Sequence, residues 1–199
     1  MVGGGTVAFR KAQSLIDAGA RLVVVGKQID EALEGLCQSK GVRFVKGSYA
    51  KEYLVGAVLA IAATNDTELN KQIYKDCQEL EVLCNVVDVP DLCDFFVPAV
   101  VERGPLQIAI GTGGHSPAFA GHMRKKLEEI VTDQHGQFLT ELNAIRKLII
   151  KRVPDPNDRK IMAGVLVDDK SFELFVGEGA EAWRTWANDK VEEYEAEGR

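Results

Sequence analysis

The chain has no C-x-x-C pair. Its four cysteines, Cys37, Cys77, Cys84 and Cys93, are too irregularly spaced for a zinc ribbon or a redox dithiol. Free thiols in a reducing compartment are the default expectation. The three histidines, His115, His122 and His135, lack compact ligand spacing, so no stable metal site is implied. No apolar run approaches the roughly 20 residues that span a bilayer, and no secretory signal is visible. A cytoplasmic location without membrane attachment is expected. Cationic side chains are outnumbered, 24 Lys and Arg against 30 Asp and Glu. The resulting net charge of −6 argues against nucleic acid as a partner. Repeats and low-complexity segments are also missing. What remains is an ordinary globular composition, 46% hydrophobic and 27% charged. Its 199 residues suffice for one α/β domain and a smaller appendage.

Glycine is concentrated at the start, in Met1-Val2-Gly3-Gly4-Gly5-Thr6-Val7-Ala8. Gly3, Gly5 and Ala8 form a G-x-G-x-x-A turn between a strand remnant and a helix. Such a turn cradles the pyrophosphate of a dinucleotide. The first glycine tightens the turn, the second admits phosphate to the backbone, and the small third residue lets helix and strand pack. The helix N-terminus adds free N–H groups and a positive dipole end. Ordinary tight turns also use glycine, so the motif alone is weak. Ala8, Ala12, Leu15 and Ile16 then recur at helical spacing, Gly19 ends the helix, and Arg21 to Val25 reads as a buried strand. A central first strand needs about five residues. Only Met1 and Val2 precede the glycines here, so the native start is expected upstream.

Further along, Val42–Val45, Val58–Ala63 and Val82–Val87 read as strands. Leu106–Ile110 is expected as the last strand of the same sheet. Asp66 or Thr67 caps a helix with Leu69, Ile73 and Cys77 on its apolar side. The alternation of strands and helices predicts an α/β fold of the Rossmann type, a doubly wound, mainly parallel sheet. Gly111-Thr112-Gly113-Gly114-His115-Ser116-Pro117 is a second glycine-rich loop, with Ser116 placed as N-cap and Pro117 as first helical residue. From Pro117 the pattern is helical to about Val153, with a stripe of Leu139, Leu142, Ile145, Leu148 and Ile149. Val153-Pro154-Asp155-Pro156 breaks it. The tail from Lys160 to Arg199 is predicted mostly helical, with Trp183 and Trp186 on one face. These patterns divide the chain into a dinucleotide-binding domain (1–112), a helical dimerisation and substrate-facing region (113–150) and a helical C-terminal region (151–199).

Four segments, Gly3 to Lys11, Ala62-Ala63-Thr64-Asn65-Asp66, Cys84-Asn85-Val86-Val87-Asp88 and Gly113-Gly114-His115-Ser116-Pro117, resemble in order and spacing the precorrin-2 dehydrogenase/sirohydrochlorin ferrochelatase family. That family comprises the N-terminal part of siroheme synthase and stand-alone relatives. The resemblance covers about residues 1–150. It implies a homodimer that uses NAD to oxidise precorrin-2 to sirohydrochlorin in siroheme or cobalamin biosynthesis. It places the catalytic aspartate at Asp88, the cofactor at Gly3, Gly5, Thr6, Val7, Thr64, Asn65 and Asp66, and the substrate at Asn85, Gly113, Gly114, His115 and Ser116. A structural alternative stands beside each role. Asp88 can simply start the turn before Pro90, Thr64 to Asp66 can cap a helix, Gly113 to Ser116 can be a helix start, and His115 can be an exposed loop residue.

One departure concerns the cofactor. The acidic residue that holds ribose hydroxyls usually follows the second strand. Here that strand ends Val25-Gly26-Lys27-Gln28, Asp30 and Glu31 come only later, and Lys27 favours a 2′-phosphate. The resemblance implies NAD. A polycarboxylate substrate would also need a local basic patch, for which Arg10, Lys11, Arg103, Arg124, Lys125 and Lys126 are candidates. Two further readings remain open: a bifunctional enzyme that also inserts Fe²⁺ into sirohydrochlorin, and a nucleotide-sensing module without chemistry.

Overall fold

The structure is a computed structural model that describes residues 1–196. The chain forms two compact units, Met1–Val97 and Pro98–Arg199. The order of elements in the first is α1 (Thr6–Asp17), β1 (Val23–Gly26), α2 (Glu31–Lys40), β2 (Arg43–Lys46), β3 (Leu59–Ala62), α3 (Thr67–Glu79) and β4 (Leu83–Val86), with 3-10 turns at Lys51–Leu54 and Pro90–Leu92.

The strands are short and parallel, β1 with β2 and β3 with β4. Val2 joins the two pairs, bridging Val25 on one side and Ala62 on the other. Its amide donates to Ile61 O and its carbonyl accepts from Ala63 N, at 2.9 and 2.8 Å, while Met1 O and Gly3 N complete the ladder to Val25. The order is therefore β2-β1-Val2-β3-β4, with the topological reversal at the glycine turn. Ligands of open parallel sheets bind outside the carboxyl ends of the strands at such a point.

Two apolar clusters cover this sheet. Ala8 and Ala12 of α1 join Leu33, Leu36 and Cys37 of α2 around Val24. Ile73 and Cys77 of α3 join Ala60, Ala62, Cys84 and Val86. The free edge of β4 is closed by the returning chain, where Cys93 bridges Asn85 antiparallel and Asp94 N donates to Cys84 O. The Asp94 carboxylate accepts from Cys84 N at 2.7 Å, which pairs an edge donor that would otherwise be open.

The second unit contains β5 (Ala99–Arg103), β6 (Leu106–Ile110), α4 (Pro117–Ile130), α5 (Asp133–Arg152), α6 (Pro156–Leu166) and α7 (Asp169–Ala196), which breaks at Gly179. Leu106–Ile110 is not the last strand of the parallel sheet. It pairs antiparallel with β5 in a separate hairpin. Gly104 at φ 57° occupies the first central position of a two-residue loop, where a primed hairpin turn demands a positive φ. The helix expected from Pro117 to Val153 is also interrupted. α4 stops at Ile130, and Thr132 starts α5, its backbone N–H donating to His135 Nδ1 at 3.1 Å. Gly136 lets α5 lie against β5, since a Cβ there would meet Arg103 O at 2.1 Å.

The helical core gathers Phe138, Ile145, Ile149, Phe175 and Trp183, with Trp186 packed against it. Trp183 is fully buried, stacks edge-on against Phe138 at 5.3 Å, and donates through Nε1 to Ser171 Oγ at 2.8 Å. The tail is helical as expected up to Ala196, and its last three positions lie outside the described residues. Among the described residues, no helix is long and apolar enough to cross a membrane.

Candidate active site

The three consecutive glycines are not equivalent. Gly3 sits at φ 123°, and a Cβ there would meet Ala63 O at 2.2 Å. A Cβ on Gly4 would lie 1.9 Å from Gln28 O. Both positions are fixed by the fold itself. At Gly5 the only neighbour is a carboxylate oxygen of Asp30, 4.0 Å away. Nothing inside the protein requires a glycine there, so the open space is a cradle that a side chain would fill. Gly5 is also the N-cap of α1 and contributes no capping side chain. No N-cap side chain bonds the first turn of α1, which begins with Thr6 and Val7. The residues present therefore fit an anion at the helix N-terminus.

Asp30 belongs to this turn, which the linear sequence conceals. Its backbone N–H donates to Gly4 O at 2.7 Å, and its carboxylate accepts from the Thr6 hydroxyl at 3.3 Å. Lys27 is exposed and outside this network.

Gly3 wedges against the end of β3, so the glycine turn and the Ala63-Thr64-Asn65-Asp66 turn are adjacent. Asp66 caps α3 through a 3.0 Å bond from Leu69 N. The Thr64 hydroxyl lies 2.7 Å from Asn70 Oδ1, and Asn70 Nδ2 donates to Thr64 O at 3.0 Å. Asn70, 7% exposed, is the residue that sequence reasoning missed. Its signal was an asparagine one turn inside a helix otherwise read for its apolar face. Asn65 is exposed.

β4 delivers Asn85 and Asp88 to the same sheet end. Asn85 is buried, and its Nδ2 donates to Phe95 O at 2.9 Å. Asp88 is exposed at φ 63°, a left-handed conformation that aspartate tolerates better than most residues. Val87 N donates to Ala62 O, which ties the turn to β3.

The second loop lies in the other unit. Ser116 Oγ accepts from Phe119 N and so caps α4, with Pro117 as first helical residue. Gly113 and Gly114 have φ of 58° and 80°. His115 is exposed, with Nδ1 3.0 Å from Thr112 O, which leaves Nε2 to solvent. Of the basic candidates there, Arg103 pairs with Asp133 at 3.5 Å and Arg124 pairs with Glu128. Among the described residues, no group of three or more His, Cys, Asp or Glu is arranged to hold a metal.

The glycine turn, the uncapped α1 and the reversal of strand order define a Rossmann-type dinucleotide-binding protein. Residues 1–99 match the family model described as "Putative NAD(P)-binding", and residues 103–130 match "Sirohaem biosynthesis protein central". A siroheme synthase of Pseudomonas putida (strain W619) is 38% identical over 189 residues, 92% of this chain and 40% of that protein. That of Azotobacter vinelandii (strain DJ) is 40% identical over 161 residues, 81% of this chain and 35% of that protein. The chain thus spans about two fifths of the length of these relatives. The solved structure described as "SirC, precorrin-2 dehydrogenase" superposes with a TM-score of 0.77 at 24% identity, covering 97% of this chain and 92% of that one. The chain belongs to the family formed by the N-terminal part of siroheme synthase and its stand-alone relatives.

Proposed function

We propose that this protein is a precorrin-2 dehydrogenase that yields sirohydrochlorin, with NAD as cofactor. The observation that carries the reading is the open cradle at Gly5, flanked by Asp30 and opening at the sheet end that also presents Asp88. The names of its relatives, siroheme synthase and precorrin-2 dehydrogenase, supply the substrate class. NAD, when bound, supplies the hydride acceptor.

The chain's own residues do the rest. The α1 N-terminus binds the pyrophosphate, and Asp30 accepts from ribose hydroxyls and repels a 2′-phosphate. Thr64 to Asp66 border the nucleotide. Loss of hydride from the macrocycle requires loss of a proton as well, and the Asp88 carboxylate accepts it. Gly113, Gly114, His115 and Ser116 contact substrate in this reading, whereas Asn85, buried and with its amide bonded to Phe95 O, braces the end of β4 instead of meeting substrate. The enzyme works as a cytoplasmic homodimer, and sedimentation showing a monomer at micromolar concentration would count against that part.

The test is turnover of enzymatically prepared precorrin-2 with NAD⁺ and, in parallel, NADP⁺, with Fe²⁺ or Co²⁺ added once oxidation is complete. NAD⁺-dependent sirohydrochlorin formation is expected. Accelerated metal insertion would add the chelatase. Cofactor binding without turnover would replace the enzyme by a sensor. Asp30→Ser is expected to shift the preference toward NADP⁺ by about tenfold, a difference of ~1.4 kcal/mol, and an unchanged ratio would remove Asp30 from the ribose site.

A further inference from the structure

The turn that presents Asp88 is held from beneath by a thiol. After β4 the chain turns at Val86–Val89, with Val89 N donating to Val86 O at 3.2 Å. It then passes the 3-10 turn at Pro90–Leu92 and returns so that Cys93 faces Asn85. Cys93 Sγ lies 3.2 Å from Val86 O and 3.3 Å from Val89 O, the two carbonyls that bracket Val87 and Asp88. Its single S–H proton is shared between them. The sulfur in turn accepts from Asn85 Nδ2 at 3.5 Å, and that amide is anchored to Phe95 O. Burial pushes the Cys93 thiol up from its ordinary range, which keeps the proton on sulfur at neutral pH.

We infer that Cys93, seated under the Val86–Val89 turn and backed by Asn85, is a positioning residue for Asp88. The inference rests on the reading of Asp88 as the proton acceptor. A turn with a non-glycine residue at φ 63° persists only where its surroundings hold it. Beside the backbone bonds from Val87 N to Ala62 O and from Val89 N to Val86 O, the side-chain groups beneath it are the Cys93 thiol, with two weak S–H···O contacts, and the Asn85 amide that backs it. Serine retains a donor at this site, alanine removes it, and valine removes it while filling the space.

The experiment is a double-mutant cycle on the full chain, with hydride transfer from precorrin-2 to NAD⁺ followed in single turnovers. Misplacing a reacting group by about 1 Å costs up to ~100-fold. Cys93→Ala is therefore expected to lower the hydride-transfer rate by about tenfold, with the KM for NAD⁺ unchanged, and Cys93→Ser to restore most of the rate. In an Asp88→Ala background, where the group being positioned is gone, Cys93→Ala is expected to change the rate by less than about twofold, the non-additivity of residues acting as a unit. Should Cys93→Ala fail to fold, Cys93→Val takes its place in the cycle. An equal rate loss in both backgrounds, or no rescue by serine, would overturn the inference. Asp88→Ala at the wild-type rate would remove the proton-acceptor reading itself, and the positioning role with it. A slow Asp88→Ala beside a full-rate Cys93→Ala would remove the positioning role alone.

Discussion

The two units bury polarity differently. In Met1–Val97 three polar side chains are buried among the described residues, Asn70, Asp76 and Asn85. Two of them fasten backbone turns at the candidate site, Asn70 at Thr64 and Asn85 at Phe95. In the second unit the described residues include one, Ser171, and it serves the core by accepting from Trp183. A buried polar group costs free energy unless every hydrogen bond is made, but a satisfied one fixes a geometry that apolar packing leaves loose. The first unit is wired for placement of loops and the second is packed for cohesion. The sharpest way to break that contrast is to remove one anchor of each kind.

The largest stability loss is expected from Trp183→Ala. The indole is fully buried and contacts Phe138, Phe175 and Trp186. Aromatic-to-alanine changes in cores cost about 3–5 kcal/mol, and here Ser171 also loses a partner. A urea titration should show this loss with NAD⁺ affinity intact wherever the protein is folded. A loss below about 1 kcal/mol would mean that the helical core does not depend on its central aromatic.

A smaller effect is expected from Tyr49→Phe in the first unit. The Tyr49 hydroxyl donates to the buried Asp76 carboxylate at 2.9 Å, whose other oxygen accepts from Gln72. Hydrogen bonds to charged groups contribute about 1.5–3 kcal/mol. Burial, and then the bond to Asp76, push the Tyr49 pKa above the ordinary phenol range. The folded state therefore keeps this proton where the unfolded chain, titrating near 10, gives it up. The stability that the hydroxyl adds is fully present below about pH 10 and declines as pH rises toward the higher folded value. The gap between wild type and Tyr49→Phe should accordingly be flat at neutral pH and narrow in alkali. A gap independent of pH up to denaturation would show that Tyr49 is not a protonated donor there.

The same contrast explains what was legible in the sequence. β1, β3 and β4 could be read because short β-branched or apolar runs end at turn residues, and the glycine turn because its spacing is local. Ser116 and Asp66 as caps were likewise local signals. Asp30 was out of reach because it joins the glycine turn through a backbone bond to Gly4 across an intervening strand. The pairing of β6 with β5 turned on Gly104-Pro105, which marks a turn but not the sheet to which its strands belong. The start of α5 was hidden because Thr132 is answered by His135, where capping sequences usually carry Glu or Gln. Residues that act within one turn announce themselves, whereas those that act across elements do so only once the sheet is assembled.

The glycine turn gives the finest comparison, because it places both kinds of demand in adjacent residues. At Gly4 a methyl group would lie 1.9 Å from Gln28 O and 2.9 Å from Ile29 Cα, so the backbone must move. Overpacking of this kind costs about 1–3 kcal/mol, and Gly4→Ala should lower both the unfolding midpoint and NAD⁺ affinity. At Gly5 the same methyl group meets only Asp30 Oδ2 at 4.0 Å, and φ is −91°, where alanine is unstrained. Gly5→Ala should leave stability within about 0.5 kcal/mol of wild type and still weaken NAD⁺ by at least about tenfold, ~1.4 kcal/mol, because the methyl occupies the space for phosphate. Equal NAD⁺ affinity in a folded Gly5→Ala protein would place the pyrophosphate elsewhere. A destabilised Gly5→Ala would assign the third glycine to the fold, like its two neighbours, and take from the cradle its claim to be built for a ligand.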